Sequence, residues 1–435
     1  MSVHVVRAQA RDPRECDERR LQCLRKSASE ARERRVLLPH RAAIELGAPL
    51  VMLHPRWTEV ERHAVLSETK PCLVLGKDAI AHIGSGPLSQ NTTDASAPLA
   101  ILYTSGTTGP AKGAILSRRA FIASARASAV HLPLTPSDRW LLTMPLAHVG
   151  GLSIVIRSLI ARSAIVIGGP FEAERTRALI ARENPTLISL VPTMLSRLLD
   201  AGFTRSHGLR AILLGGAACP DRVLERARAH DLPIRTTYGL TEACSQVTTA
   251  LSNVTSSEDG SGIPLPGIEI RIGPSEHIEV RGPTMFDGWF PKGAHDSPFD
   301  HDGFYDTGDL GFFDSEGRLH VLARRSDLIV TGGENVYPID IENALMKLPE
   351  VRAACVFGLP DPHWGQLVAA AIVLEREVRD EDLKKSLSRS LARFKVPKHF
   401  MRLPALVMGP TGKLDRRATA LLASSALIDP EEPRE

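Results

Sequence analysis

Between residues 163 and 239 the chain alternates between two hydrophobic periods. SAIVIG, LISLV, RAILLGG and IRTTYG are short aliphatic or β-branched runs. AERTRALIAREN, PTMLSRLLDAG and PDRVLERARAH lie between them, with apolar residues at helical spacing and charged opposite faces. Strand–helix alternation of this kind predicts a parallel sheet covered by helices. Just before it, Leu152 to Gly168 is the most apolar long stretch, but Arg157 and Arg162 interrupt it. It is too short and too charged to span a bilayer and reads as a buried helix followed by a strand.

The pattern then changes. GIEIRI, HIEVRG and RLHVLA, within residues 262–322, are short turn-bounded strands that predict a small β module. After about Arg325 a helix from Pro338 to Leu348, strands at AACVFGL and LVAAAIVLE, and an amphipathic helix from Glu381 to Phe394 predict a separate α+β unit. The expected boundaries are 1–325 and 326–435, with a frayed tail at Pro430 to Glu435. The fold class is α/β: a large N-terminal domain of parallel sheets with flanking helices plus the β module, then a smaller mobile α+β domain. In open sheets of this kind ligands sit beyond the carboxyl ends of the strands. Gly215-Gly216-Ala217 and Tyr238-Gly239-Leu240-Thr241-Glu242 are two such ends.

Composition narrows the function classes. The chain has 435 residues, 43% hydrophobic and 24% charged, and a formal charge of +3. Lys and Arg are interspersed with Asp and Glu, so no concentrated basic face points to nucleic acid. The cysteines, at 16, 23, 72, 219, 244 and 355, form no CxxC pair. They fit a reduced, cytoplasmic chain better than a disulfide frame or zinc site. The first 35 residues are rich in Arg and lack the apolar core of a secretory signal.

One segment carries explicit chemistry: YTSGTTGPAKGA, Tyr103 to Ala114. Consecutive Gly, Ser and Thr can aim several N–H groups and hydroxyls at one anion, and Lys112 adds a charge. The glycine spacing, and Gly113 after Lys112, exclude the GxxxxGK[ST] loop of P-loop phosphotransferases.

This segment resembles the phosphate-binding signature of the adenylate-forming superfamily of acyl- and aryl-CoA ligases. Six further motifs stand in that family's order: PLAHVGGL at 145–152, LLGGAACP at 213–220, YGLTEACSQ at 238–246, YDTGDLG at 305–311, RRSDLIVTGGENVYP at 324–338 and PTGKLDR at 410–416. Together they span about residues 99–416. YGLTEACSQVTT and RRSDLIVTGGENVYP look most like the o-succinylbenzoate–CoA ligases of menaquinone biosynthesis.

The resemblance implies a two-step reaction that uses ATP, Mg²⁺ and coenzyme A and activates a carboxylic acid as its adenylate. It assigns Thr104, Ser105, Gly106, Thr107, Thr108, Gly109 and Lys112 to the β- and γ-phosphates. Thr241 is assigned to the α-phosphate and Glu242 to Mg²⁺. Gly215, Gly216, Ala217, Tyr238 and Gly239 are assigned to the adenine pocket, with Asp309 and Arg324 at the ribose. Lys413 is expected to serve adenylation and His148 to sit near the acyl carboxylate. The Gly332-Gly333-Glu334 turn is expected to form the thiol tunnel after a domain rotation about Ser326. Ser245, Gln246, Thr248 and Thr249 are expected to face a polar acyl pocket.

Two departures accompany these motifs. Relatives have a longer region before the phosphate loop, here represented by residues 47–75, so the N-terminal part is expected to be shortened. Ala323 stands where a Gly is frequent. Two other readings remain beside the leading one. The chain is either a ligase for another aryl or fatty acid, or for a carrier-protein thiol, or a non-catalytic relative that binds AMP or an acyl-adenylate. No nucleic-acid partner or membrane span is expected, and a homodimer is left open.

Overall fold

In the computed structural model the described residues are 3–6, 49–54, 57–71, 73–75, 94–104, 112–291, 296–409 and 413–428. Ser105, Gly106, Thr107, Thr108 and Gly109 of the phosphate segment lie outside them, as do residues 410–412 and the tail after 428.

The predicted alternation is a five-stranded sheet whose strands are all parallel. Its spatial order is Ile234–Thr237, Ala211–Gly215, Leu187–Leu190, Arg139–Leu142, Ala164–Ile167. Successive residues on a strand point to opposite faces, and here each face has its own core. Leu141, Ile188, Leu190, Ile212 and Leu214 pack with helices Ala173–Glu183, Pro192–Asp200 and Asp221–Ala229. Trp140, Leu142, Leu187 and Leu213 pack into a second core with helices Arg118–His131 and Val149–Ala161. This double burial explains why the strands read as continuous apolar runs rather than alternating ones.

The second core also takes one face of a six-stranded mixed sheet, in the order Trp289–Phe290, Lys112–Ser117, Pro98–Thr104, Leu50–Leu53, Val3–Val6, Leu73–Leu75. The other face, with Val51, Leu53, Ile101, Tyr103 and Ile115, packs with Val65 of helix Glu59–Thr69. A capping box between Thr58 and Glu61 starts that helix: Thr58 N–H donates to Glu61 Oε2 at 2.7 Å and Glu61 N–H to Thr58 Oγ1 at 3.2 Å.

The β module is a four-stranded antiparallel sheet: Glu269–Ile272, His277–Arg281, Tyr305–Phe313, Leu319–Arg324. Tyr305–Phe313 contains the YDTGDLG motif, so that motif is a strand.

The last sheet runs Glu334–Val336, Ile329–Thr331, Gly365–Leu374, Val351–Asp361, with His399–Arg402 parallel to Gly365–Leu374. Ile329, Val336, Ile341, Val356, Ile372 and Phe400 close a core of their own. The helix expected over Glu381–Phe394 is shorter: it spans Asp380–Leu387. The Ser388 hydroxyl turns back to Lys384 O at 2.7 Å, an alternative to helix continuation that Ser offers. The chain then turns, and Lys395 pairs with Asp340 at 2.6 Å. Among the described residues no helix is long and apolar enough to cross a membrane.

Candidate functional site

The carboxyl ends of the parallel strands and the last two strands of the β module supply the site. Strand Ala211–Gly215 ends at Gly215, and Gly216 follows with φ +84°. A Cβ on Gly216 would lie 2.8 Å from Lys413 Cε and 3.2 Å from its Nζ. Both the backbone conformation and the approach of that lysine therefore require glycine. Ala217 is exposed just beyond it.

Lys413 reaches this point from the far end of the chain. Two backbone contacts hold it: Gly409 N–H donates to Lys413 O at 2.8 Å and Met408 bridges Leu414. Behind them, Arg416 fixes the base. Its guanidinium donates to Glu342, to Val356 O at 2.6 Å and to Asp327 Oδ2 at 3.4 Å. Asp327 closes the short 3₁₀ turn Arg325–Asp327 that contains Ser326. Lys413 is exposed as a residue. Its ammonium end still loses solvation against the protein, which lowers its pKa; Arg324 lowers it further and Asp309 opposes both.

Tyr238 and Asp309 form the floor. Strand Ile234–Thr237 delivers Tyr238, which is buried, and its hydroxyl donates to Asp309 Oδ2 at 2.7 Å. Asp309 faces Arg324 in the antiparallel register, and Arg324 Nε lies 3.3 Å from Asp309 Oδ1. Burial raises the Asp309 pKa, while Arg324, Tyr238 and Lys413 pull it back down. Thr307 Oγ1 accepts from Asp309 N–H at 3.1 Å and donates to Ile278 O at 2.8 Å, so the Asp309 backbone is fixed as well.

Gly239-Leu240 pairs with Ser245-Gln246 in a hairpin around the 3₁₀ turn Thr241–Ala243. A Cβ on Gly239 would lie 1.8 Å from Ser245 O, so the hairpin itself demands this glycine. The turn places Glu242 within electrostatic reach of Asp309 and Arg324. Burial raises the Glu242 pKa; Arg324 lowers it, and Tyr305 hydrogen-bonds its carboxylate.

His148 starts helix Val149–Ala161, as its N-cap residue. Its Nε2 is buried and has no hydrogen-bond partner among the described residues. Its ring lies 4.9 Å from that of His54, at the end of strand Leu50–Leu53. Burial, then the neighbouring His54 and Lys413, lower its pKa to about 4, so the imidazole is neutral at physiological pH.

Lys413, Gly216, Tyr238, Asp309, Arg324, Glu242 and His148 are thus brought together from six separate stretches. Thr104 and Lys112 face each other across two strands, and the Lys112 ammonium lies 5.8 Å from the Trp289 ring centroid. Gly332, Gly333 and Glu334 belong to a different place, the hairpin of the last sheet. There Gly332 N–H donates to Trp364 O at 2.9 Å.

Three of the four polar residues expected to face the acid, Gln246, Thr248 and Thr249, are committed elsewhere. Gln246 Oε1 accepts from Ser128 Oγ at 2.7 Å and Gln246 Nε2 donates to Thr249 Oγ1 at 2.6 Å. Thr248 Oγ1 donates to Ser261 O at 2.6 Å. They are core hydrogen bonders. A histidine at residue 54 escaped sequence reading because its strand gives no chemical signal; only tertiary contact pairs it with His148.

The arrangement suits a nucleotide with its magnesium ion. A side-chain-free ledge at Gly216, a buried carboxylate at Asp309, a second at Glu242 and an inward-pointing ammonium match base, ribose, cation and phosphate in turn. The exposed group Asp300-His301-Asp302 does not: Arg271 pairs with both of its carboxylates.

Residues 35–289 match the family model described as AMP-binding enzyme, and residues 340–413 match the AMP-binding enzyme C-terminal domain. The chain belongs to the AMP-binding enzyme family. It is 37% identical over 405 residues to the 2-succinylbenzoate–CoA ligase of Bacillus velezensis, covering 86% of this chain and 83% of that one. Among solved structures, o-succinylbenzoate CoA synthetase from Bacillus subtilis in complex with the acyl-adenylate intermediate is similar, with TM-score 0.77 and 32% identity. That match covers 92% of this chain and 86% of the other. ATP-bound MatB from Rhodopseudomonas palustris is similar with TM-score 0.79 and 26% identity, covering 92% and 88%. The α/β architecture is that of these family members.

Proposed function

We propose that this AMP-binding enzyme is an ATP-dependent, AMP-forming acid–thiol ligase that converts o-succinylbenzoate to o-succinylbenzoyl-CoA in menaquinone biosynthesis. The observation that carries the reading is the meeting of Lys413 with Gly216, Asp309 and His148, in a chain similar over most of its length to ligases of that name.

In the first half-reaction a carboxylate oxygen of the acid attacks the α-phosphorus and pyrophosphate leaves. Negative charge accumulates at the reacting phosphate, and the Lys413 ammonium, held in a desolvated position, stabilises it. Neutral His148 offers an uncommitted ring nitrogen to the incoming carboxylate. Asp309, fixed by Tyr238 and Arg324, orients the ribose, and Thr241 contacts the α-phosphate. Glu242 would hold Mg²⁺, which neutralises phosphate charge when bound. Thr104 and Lys112, with the glycine-rich segment between them, hold the outer phosphates. In the second half-reaction the thiol of coenzyme A gives up its proton, bonds to the acyl carbon, and AMP leaves.

Within this reading the chain divides into domains 1–325 and 326–435, which reorient about Ser326 so that Gly332-Gly333-Glu334 replaces Lys413 at the site. Among the described residues the polar links between them include Arg222 to Val351 O at 3.3 Å, Lys347 to Asp221 at 3.7 Å, and Tyr337 to Glu276. Such contacts are weak enough to exchange. Cytoplasmic location and a homodimer belong to the same reading, the latter checked by sedimentation.

The test is pyrophosphate release with ATP, Mg²⁺ and coenzyme A against o-succinylbenzoate, benzoate and fatty acids. Preference for o-succinylbenzoate, with formation of its thioester, is expected. Release only with another acid would discard the substrate and keep the ligase. Silence with every acid from folded protein would leave a nucleotide-binding relative without turnover.

A further inference from the structure

The entry into helix Val149–Ala161 has a fixed backbone and a leading ring that hydrogen bonds do not hold. Gly151 N–H and Leu152 N–H both donate to His148 O, at 3.0 and 3.1 Å, and His148 N–H donates to Pro145 O at 3.1 Å. A Cβ on Gly151 would lie 2.3 Å from Pro145 O, so this turn closes tightly. The His148 imidazole takes no part in it. The ring does not cap the helix, and its Nε2 has no hydrogen-bond partner among the described residues. Packing is left to set its direction.

The ring it packs on is that of His54, with centroids 4.9 Å apart and planes tilted by 45°. His54 directly follows strand Leu50–Leu53, whose four residues are all buried. That strand lies inside the six-stranded sheet, between Val3–Val6 and Pro98–Thr104. Its pairing with Pro98–Thr104 is parallel, Leu50 opposite Ala100 and Val51 opposite Ile101. The same register, continued along both strands, brings His54 level with Thr104, at the edge where the phosphate segment begins. The backbone is held there as well, since Trp57 N–H donates to His54 O at 3.1 Å.

The two rings differ in depth. His148 is half-buried and within electrostatic reach of Lys413, whereas His54 is 2% exposed. A close-packed ring at the end of an interior strand has little room to turn aside, so the inner imidazole is a rigid wall for the outer one. Reacting groups are held in productive geometry when surrounding side chains lock their rotamers, and a misplacement of about 1 Å can cost about 100-fold in rate. The titratable and charged groups that act on His148 are His54, from the strand, and Lys413, from the C-terminal segment. Both oppose a proton on it.

We propose that His54 is a positioning residue for adenylation, whose ring braces the His148 imidazole in the direction that meets the carboxylate of the acid. The proposal rests on the ligase reading and deepens it. His54 is too deeply buried to touch the substrate and acts only through His148.

The test is a double-mutant cycle on pyrophosphate release with ATP, Mg²⁺ and o-succinylbenzoate. His54→Ala should lower kcat/KM for the acid by roughly 10-fold, with KM for ATP unchanged. His54→Phe, which keeps a ring in place, should recover most of the rate. In a His148→Gln background His54→Ala should cost less than about 2-fold more, because the group it serves is gone. An equal cost in both backgrounds would overturn the proposal, and so would an unchanged rate in His54→Ala. A second readout needs no turnover: the NMR titration of the His148 ring, assigned by its loss in His148→Gln. The midpoint should lie near pH 4 in the unmodified protein and rise in His54→Phe, where one of the two groups opposing the proton is gone. Should His54→Ala fail to fold, that midpoint decides, and an unchanged value overturns the proposal. Absence of pyrophosphate release with any acid would instead remove the ligase reading, and the midpoint would still report whether His54 acts on His148.

Discussion

His148 occupies a position where protonation is unfavourable on three sides. The protein buries it, places His54 against its ring and brings the Lys413 ammonium close. The unfolded chain accepts a proton on this histidine near pH 6.5, the folded chain only near 4. The folded state therefore binds fewer protons in that window, and stability must fall as pH drops from about 6.5 toward 4, by up to about 3 kcal/mol. Urea denaturation across this range should show the decline, and His148→Gln should flatten it. A variant with the same slope would place the titrating group elsewhere. In the proposed mechanism the neutrality matters for chemistry as well, since a neutral imidazole beside Lys413 adds no second cation where the carboxylate enters.

At the level of elements, one carboxylate gathers the amino ends of the parallel sheet, opposite the site. Asp138, just before strand Arg139–Leu142, is 5% exposed. Its oxygens take both arms of Arg210, at 2.8 and 3.0 Å, from the entrance to strand Ala211–Gly215. They also take Thr186 Oγ1 at 2.7 Å, from the entrance to strand Leu187–Leu190, and Thr135 N–H at 2.8 Å. Burial pushes the Asp138 pKa up, but the hydrogen bonds from Arg210, Thr186 and Thr135 outweigh it and hold it well below the usual carboxylate range. The stabilisation is present above the unfolded value of 3.8 and is lost as pH falls through the depressed folded value. Asp138→Asn should cost about 2–3 kcal/mol at neutral pH, less than a fully buried pair because Arg210 is partly exposed. Thermal unfolding checks this, and a loss under 0.5 kcal/mol would show that the three strands do not depend on it.

At the level of the whole molecule, the site is complete only when the last sheet brings Lys413 to Gly216. Arg416 ties the Lys413 segment to Glu342 and to Asp327, so the lysine and the turn around Ser326 share one anchor. Lys413→Ala should slow adenylation by about 10²–10³-fold. Thioester formation from preformed acyl-adenylate should be largely retained, because in the proposed mechanism Lys413 serves only the first arrangement. Single-turnover assays of each half-reaction distinguish the cases; equal loss of both would refute two alternating arrangements.

The sequence by itself determined the element types and the motif chemistry. Parallel strands buried on both faces must be apolar throughout, and helices with one covered face must be amphipathic, so their periods were readable between residues 163 and 239. The motif residues were readable because seven motifs stand in the order of the adenylate-forming family, whose resemblance assigns them to phosphate, ribose and magnesium. The shortened helix after Asp380 was not readable, since Ser388 forms an equally local bond that period alone does not weigh. Nor was the fate of Gln246, Thr248 and Thr249, whose polarity served equally well for a pocket or a core network until their partners were fixed. The pairings of His54 with His148 and of Tyr238 with Asp309 were decided by tertiary structure. Each depends on which distant residues share a low-dielectric space, and local periodicity carries no information about that.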